Sequence, residues 1–175
     1  VNDTSLDGLF TAVANNETAR ESLSQSDRNI DAVASNVAAS EALGQSGEAV
    51  RLAVTRREGR DPANYPTLDD VAADQSLMAD IAARQESSRL VMRCQEAAAS
   101  CASSQPAMLE IGKSSASLGE AKDTQIAMSE FSQNDFAVRC IMCGVSGLDP
   151  TTYADAAAFA ADNAAITTVS EDQET

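Results

Sequence analysis

Gln105-Pro106-Ala107-Met108-Leu109-Glu110-Ile111 and Gln125-Ile126-Ala127-Met128-Ser129-Glu130-Phe131 are two readings of one motif, Gln-x-Ala-Met-x-x-Ile. Steps of ten from Val71 meet Val71, Ile81, Val91, Cys101, Ile111, Ala121, Phe131 and Ile141, apolar throughout. With 43% of residues apolar, eight in succession have a chance of about 0.43 to the eighth power, roughly one in a thousand. A second column holds Met78, Ser88, Ala98, Met108, Leu118, Met128 and Val138. A third is polar: Gln75, Gln85, Gln95, Gln105 and Gln125 share one phase, with Ser115 and Asp135 at the intervening steps. A ten-residue internal repeat therefore organises this part of the chain. Its candidate core is Val71, Met78, Ile81, Val91, Met108, Ile111, Leu118, Met128, Phe131, Val138 and Ile141.

Outward from that stretch the chain divides into five parts. Residues 1–9 are a polar lead-in. Residues 10–54 form a first repeat block, in which Ala12–Ile30 aligns with Ala32–Val50 and the half-period shows in Val13, Leu23, Val33 and Leu43. Gln25 and Gln45 keep the decade phase there, while the apolar column sits two residues later than in the second block. Residues 55–68 are a linker, because Arg56–Pro66 joins charge, one Gly and two Pro, which stop regular structure. Residues 69–146 are the second block, opened by Thr67-Leu68-Asp69-Asp70 as a capped helix start. Residues 147–175 are the tail. In it Asp149-Pro150 reads as a cap with proline at the first helical position, Ala154–Ala165 as one Ala-rich helix, and Ser170–Thr175 as a frayed acidic end.

The residues are helix formers, with few β-branched side chains. On a straight α-helix ten residues turn about 1000°, some 80° short of three turns, so the stripe would drift round the helix. Two solutions remain: stacked short helices, each closed by a turn, or a supercoiled helical bundle that absorbs the drift. Pro106 near a helix start and Gly112 just past Ile111 suit the first. Either way the fold class is mainly α, an elongated array of decapeptide repeats with no substantial β-sheet. The stripe must be covered by stacking or by another copy.

Composition narrows the function. Aromatics make up 3% and His and Trp are absent, and the net charge is -15 with a pI near 4.1. Nucleic acid is excluded as a partner by that charge, and the basic run Arg51, Arg56, Arg57 and Arg60 reads as a solvated connector. No stretch approaches the roughly 18 apolar residues of a membrane span, and Val1-Asn2-Asp3-Thr4 lacks a signal-peptide profile; a soluble chain is expected. Without His no Ser-His dyad can form. Cys140-Ile141-Met142-Cys143 has the spacing of redox motifs and half-zinc sites, and Cys94 and Cys101 would have to complete a metal site. On one helix Cys94 and Cys101 lie about 10 Å apart, too far for a bridge. Disulfides among Cys94, Cys101, Cys140 and Cys143 would then join segments or subunits.

The motif resembles the decapeptide repeats of tailed-bacteriophage virion proteins, fibres among them, with Gln75–Ile81, Gln105–Ile111 and Gln125–Phe131 as the best matches. Gln85–Val91 and Gln95–Cys101 lack the Met, and the Asp149–Val169 tail fits no repeat. The resemblance implies a non-enzymatic virion component without catalytic residues or cofactor, made in the host cytoplasm. Its partners would be itself, as a homo-oligomer such as a trimer, and other virion proteins. Two other classes stand beside it: an acidic helical adaptor or cell-surface binding module, and a small four-cysteine metal-binding protein.

Overall fold

The structure, a computed structural model, describes residues 26–172 and, before them, only Asn16, Thr18, Ala19 and Ser22. The lead-in and the first-block landmarks Val13, Leu23 and Gln25 lie outside the described residues, as does the end of the tail at 173–175. The described residues form helices and no strand. First come α1 (Asp27–Ala34), α2 (Val37–Leu43) and α3 (Gly47–Arg57). After a 3-10 turn at Pro62–Asn64 follow α4 (Leu68–Ala73), α5 (Gln75–Ala82), α6 (Gln85–Met92) and α7 (Gln95–Ser103). Then come α8 (Gln105–Lys113), α9 (Ser115–Lys122), α10 (Gln125–Phe131) and α11 (Asp135–Val145). A second 3-10 turn, Pro150–Thr152, leads to α12 (Ala156–Ala161) and α13 (Asn163–Asp172). No helix among them is long and apolar enough to cross a membrane.

One extended residue per decade makes this pattern. Asp74 (φ −83°, ψ 100°), Ser104 (φ −106°, ψ 116°) and Ser114 (φ −106°, ψ 117°) each end one helix and begin the next. Each also caps the helix it opens: Asp74 accepts from Leu77 N at 3.0 Å, Ser104 from Ala107 N at 3.4 Å and Ser114 from Ser117 N at 3.3 Å. Such a cap is worth about 1 kcal/mol. The extended residue resets the helical phase, so the 80° drift never accumulates. Short stacked helices are the solution adopted.

From α3 to α8 each helix packs on the third one after it: α3 on α6, α4 on α7, α5 on α8, α6 on α9, α7 on α10 and α8 on α11. Three decades therefore complete one layer of the stack. Side chains tie the layers at matching intervals. Gln75 Nε2 donates to Glu110 Oε1 at 2.8 Å, Gln85 to Glu120 at 2.9 Å and Gln95 to Glu130 at 3.0 Å, each pair 35 residues apart. Gln75, Gln85 and Gln95 are thus interlayer rungs at the first helical position of their helices. Ser104 Oγ donates to Ala72 O at 2.6 Å, and Ser114 Oγ makes the corresponding bond to Ala82 O. Between α6 and α9 the hydroxyls of Ser88 and Ser117 meet at 2.7 Å, which satisfies two buried polar groups.

The Val71 column is buried from end to end, from 0% exposed at Ile111 and Ala121 to 7% at Ile141. Met78, Met108 and Leu118 are buried as well. Met128 is a correction: it is 39% exposed, and Val138 is half-buried. The more uniform column lies one residue earlier, in Leu77, Ser87, Ala97, Ala107, Ser117, Ala127 and Ala137, none above 2%. Small side chains there let stacked helices approach closely. Gly112 is also reread. It lies inside α8, where an added Cβ would sit 2.7 Å from the Cys140 carbonyl oxygen, and one on Gly144 would sit 2.1 Å from Gly112 O. The two glycines let α8 and α11 touch backbone to backbone.

A longer repeat overlies the decades. Adding 88 to α1, α2 and α3 gives the bounds of α9, α10 and α11; it also carries the first 3-10 turn onto the second, α4 onto α12 and the start of α5 onto that of α13. Gly59 (φ 69°) and Gly147 (φ 67°) occupy equivalent positions and end α3 and α11 alike. Arg60 N bonds Thr55 O at 2.8 Å and Leu148 N bonds Cys143 O at 2.7 Å, the Schellman closure that a left-handed glycine permits. In both copies Asp-Pro-x-x-Tyr follows, and the tyrosine hydroxyl donates to an aspartate nine residues on: Tyr65 to Asp74 at 2.7 Å, Tyr153 to Asp162 at 3.1 Å. Backbone N–H groups (Leu77, Ala165) and then the tyrosine hold both carboxyls below the usual aspartate range. Arg51 Nη1 reaches Pro62 O at 3.0 Å and also Tyr65 O, and Arg139 Nη1 reaches Tyr153 O.

The tail therefore does fit a repeat, that of the first 3-10 turn, α4 and the start of α5. Its expected single helix is two, split at the extended Asp162 (φ −84°, ψ 96°), and α13 continues through Ser170 to Asp172 rather than fraying there. Asp149 caps the 3-10 turn instead of the Ala-rich helix, which Asp155 caps through Ala158 N at 2.7 Å. Both blocks share one apolar core from Ile30 to Ile141; the tail packs Phe159 and Ala165 against Cys143 of α11 in a second, small cluster. Two substitutions test the stack. Gly144→Ala should destabilise by about 1–3 kcal/mol or more, because the new methyl meets backbone. Gly119→Ala, with nothing within 4 Å of the added Cβ, should stabilise by up to about 1 kcal/mol through helix propensity. Chemical denaturation of both variants checks the pair.

Candidate functional site: a polar trough across helix α7

Sequence reasoning singles out the cysteines first. Cys94 is the N-cap residue of α7 and Cys101 lies within that helix, while Cys140 and Cys143 sit on α11. All four are free thiols, none more than 3% exposed. No bridge joins these four cysteines to one another in this fold. Burial raises the pKa of each and pushes Cys101 and Cys140 up to about 12. A thiol held protonated is a poor nucleophile. Among the described residues no group of three or more His, Cys, Asp or Glu is placed to hold a metal ion.

The basic run is not a solvated connector: Arg51 and Arg57 are turned inward, and Arg60 is partly exposed. Arg51 is buried and grips Glu48 at 2.6 Å as well as the carbonyls that follow the first corner. Its guanidinium holds the Glu48 carboxyl below the usual range. Arg57 bonds Ser87 Oγ at 2.7 Å and Asp31 at 3.1 Å, and Arg60 pairs with Asp80 at 2.9 Å. Glu120 is the buried counterpart on the other side. It accepts from Gln85 and Arg89, the latter at 2.7 Å, while Arg89 also donates to Ala34 O at 3.0 Å and Arg93 Nη2 stands 3.8 Å away. Removing one partner of such a buried pair costs roughly 3–5 kcal/mol. Arg57 and Arg89 thereby hold α3 and α1 to α6.

What remains open is a trough along the outer side of α7. A cavity of about 320 Å³ is walled by Glu41, Gln45, Arg93, Asp123, Thr124 and Ile126. A second, of about 410 Å³, shares Gln45, Arg93 and Ile126 and adds Glu96, Ala99 and Glu130. Two more, of about 610 and 310 Å³, continue from Ala99, Glu96 and Ser100 to Asp69 and Glu48. Small side chains on α7 (Ala99, Ser100, Ser103) keep the middle shallow.

At the first cavity two buried donors lack partners: Arg93 Nε, in a side chain 9% exposed, and Thr124 Oγ1, in a residue 4% exposed. Thr124 occupies an N-cap position but makes no cap bond. Sequence reasoning missed the trough because its walls come from six separate decades and share no motif.

The chain matches no protein-family model, and neither the curated proteins nor the solved structures offer a match. The thiol geometry makes a direct prediction. With a pKa near 12, about one molecule in ten thousand carries thiolate at pH 8 at Cys101 or Cys140. The folded protein should therefore react with a colorimetric thiol reagent only as fast as it unfolds, and release all four equivalents promptly in denaturant. Prompt labelling in buffer would contradict this placement.

Proposed function

We propose that this chain is a non-enzymatic structural protein of a tailed-phage particle, serving as fibre, decoration or connector. The observation that carries the reading is the use made of the motif. Most of its positions, Gln75, Ala107, Met108, Glu110 and Ile111 among them, are occupied in holding one layer of helices to the next, which is the work of a scaffold. The resemblance of Gln-x-Ala-Met-x-x-Ile to virion decapeptide repeats supplies the setting.

Self-association in this reading cannot run through the Met/Val/Ile columns, because the chain buries them itself. The 88-residue repeat supplies another surface. Helix α6 packs on α1, α2 and α3 together, and Ser40 beneath it is fully buried. Met128 is the equivalent of Ser40 and is 39% exposed, with Ile126 at 36% on the same helix. A second copy seated on α10 would cover both.

Size-exclusion chromatography with light scattering tests the proposal. A multimer that Ile126→Asp/Met128→Asp converts to a folded monomer is expected, since each buried apolar side chain is worth about 1.5–3 kcal/mol. A wild-type monomer at about 100 μM would overturn self-association, because that concentration lies well above the dissociation constant of a stable assembly. Metabolic genes, rather than capsid or tail genes, beside its own would overturn the virion setting.

A further inference from the structure

The far end of the stack is open, and the 88-residue repeat shows what it lacks. Helix α5 packs on α8, and its Met78 and Ile81 are buried. Helix α3 packs on α6 and α7, and its Val50 and Val54 are buried too. The counterparts of these residues 88 positions on have no such cover: Ile166 is 37% exposed, and Val169, Val138 and Met142 are half-buried. With Met128 on α10 they form an apolar face across α10, α11 and α13, as α2, α3 and α5 do beneath α6, α7 and α8.

The charges around that face do not recur. The first copy receives α6 through polar anchors: Arg93 pairs with Glu41 at 2.8 Å, and Arg57, itself paired with Asp31 at 3.1 Å, reaches Ser87 at 2.7 Å. In the second copy Glu41, Asp31 and Arg57 become Ser129, Gly119 and Val145. Ala34, whose carbonyl accepts from Arg89 of α6, becomes the exposed Lys122. Another helix like α6 would find no carboxylate for its Arg93 and a cation beside its Arg89. Two further acids, Glu58 and Asp80, become Ser146 and Thr168, while the one gained, Glu130 for Ala42, takes the Gln95 amide. Loss of acids matters in a chain of net charge -15, because it lowers the repulsion that another copy meets.

We propose that two copies close this face on each other across a two-fold axis, with α10, α11 and α13 of one protomer against the same helices of the other. What a copy has to offer decides the occupant. Among the described residues the large apolar side chains left most exposed are Val37, alone on α2, and Ile126, Met128 and Ile166 on α10 and α13. The apolar partner surface that a second copy brings is therefore this same face. A patch that is its own partner gives a closed pair, whereas a head-to-tail contact between different patches gives a growing filament. The inference rests on the self-association reading above, to which it adds the symmetry and the α11 and α13 surface; it does not depend on the virion setting.

Sedimentation of the full chain from about 1 to 100 μM tests it. The wild type should pass from monomer to dimer and grow no further. Ile166→Asp should weaken the dimer at least about a hundredfold, because the two-fold axis removes the side chain twice. Ile166→Ala, which adds no charge and leaves the helix intact, should weaken it about tenfold. Val37→Asp adds the same charge at an equally open site, 45% exposed on α2, and should change the dissociation constant less than about twofold. Circular dichroism should show all three variants as helical as the wild type. A trimer, a species that keeps growing with concentration, or a dimer indifferent to both Ile166 variants would overturn the two-fold face while leaving self-association standing. Equal weakening by Val37→Asp would overturn it in favour of diffuse charge repulsion. A wild-type monomer throughout would overturn both this inference and the self-association on which it rests.

Discussion

One extended residue in every ten is the constraint on which the rest of the molecule depends. It stops each helix after two to three turns, turns the chain, and starts the next helix with the same side chains facing inward. Helices this short are marginal alone, because nucleation costs more than a few hydrogen bonds return. They persist here because the stripe at positions such as Leu77, Met78 and Ile81 is covered by the helix three decades on. Local stability and layer contact are therefore one property: losing the layer loses the helix.

The two corners show how the array changes direction without losing register. At each, a glycine with positive φ closes a long helix, a proline opens a 3-10 turn, and an arginine from the preceding helix binds the carbonyls of the turn. A tyrosine then anchors the first extended joint of the next pair of helices. The corner near Arg51 joins two repeat blocks in a single core; the corner near Arg139 adds the small cluster about Phe159. The first copy is covered by α6. The second leaves Met128 uncovered, which is why a residue in an otherwise buried column meets solvent.

Much of this is legible in the sequence because burial in a repeat must recur. The Val71 column reads directly as core, and the helix class follows from the residue types. The choice between a stack and a coil does not follow from period ten alone: it depends on single extended residues such as Asp74 and Ser114, whose polar side chains resemble ordinary surface residues. Gly112 illustrates the same difficulty, since a terminator and a close-contact glycine look alike until α11 is in place. The 88-residue repeat was visible in Asp61-Pro62 and Tyr65 against Asp149-Pro150 and Tyr153, yet it is masked by the stronger decade beat. The trough was not legible, because residues 41, 69, 96 and 124 meet only through the stacking.

The central claim is that residues thirty apart lie one layer apart. Spin labels at Ala83 and Lys113, both exposed and at one decade position, measure it by electron paramagnetic resonance while the native thiols stay buried. Stacking places their backbones about 10 Å apart, the spacing of packed helices. A continuous helix would hold them about 45 Å apart at 1.5 Å per residue. A label separation below about 20 Å is expected from helix packing with side-chain reach included; one near the longer distance would contradict the layered array.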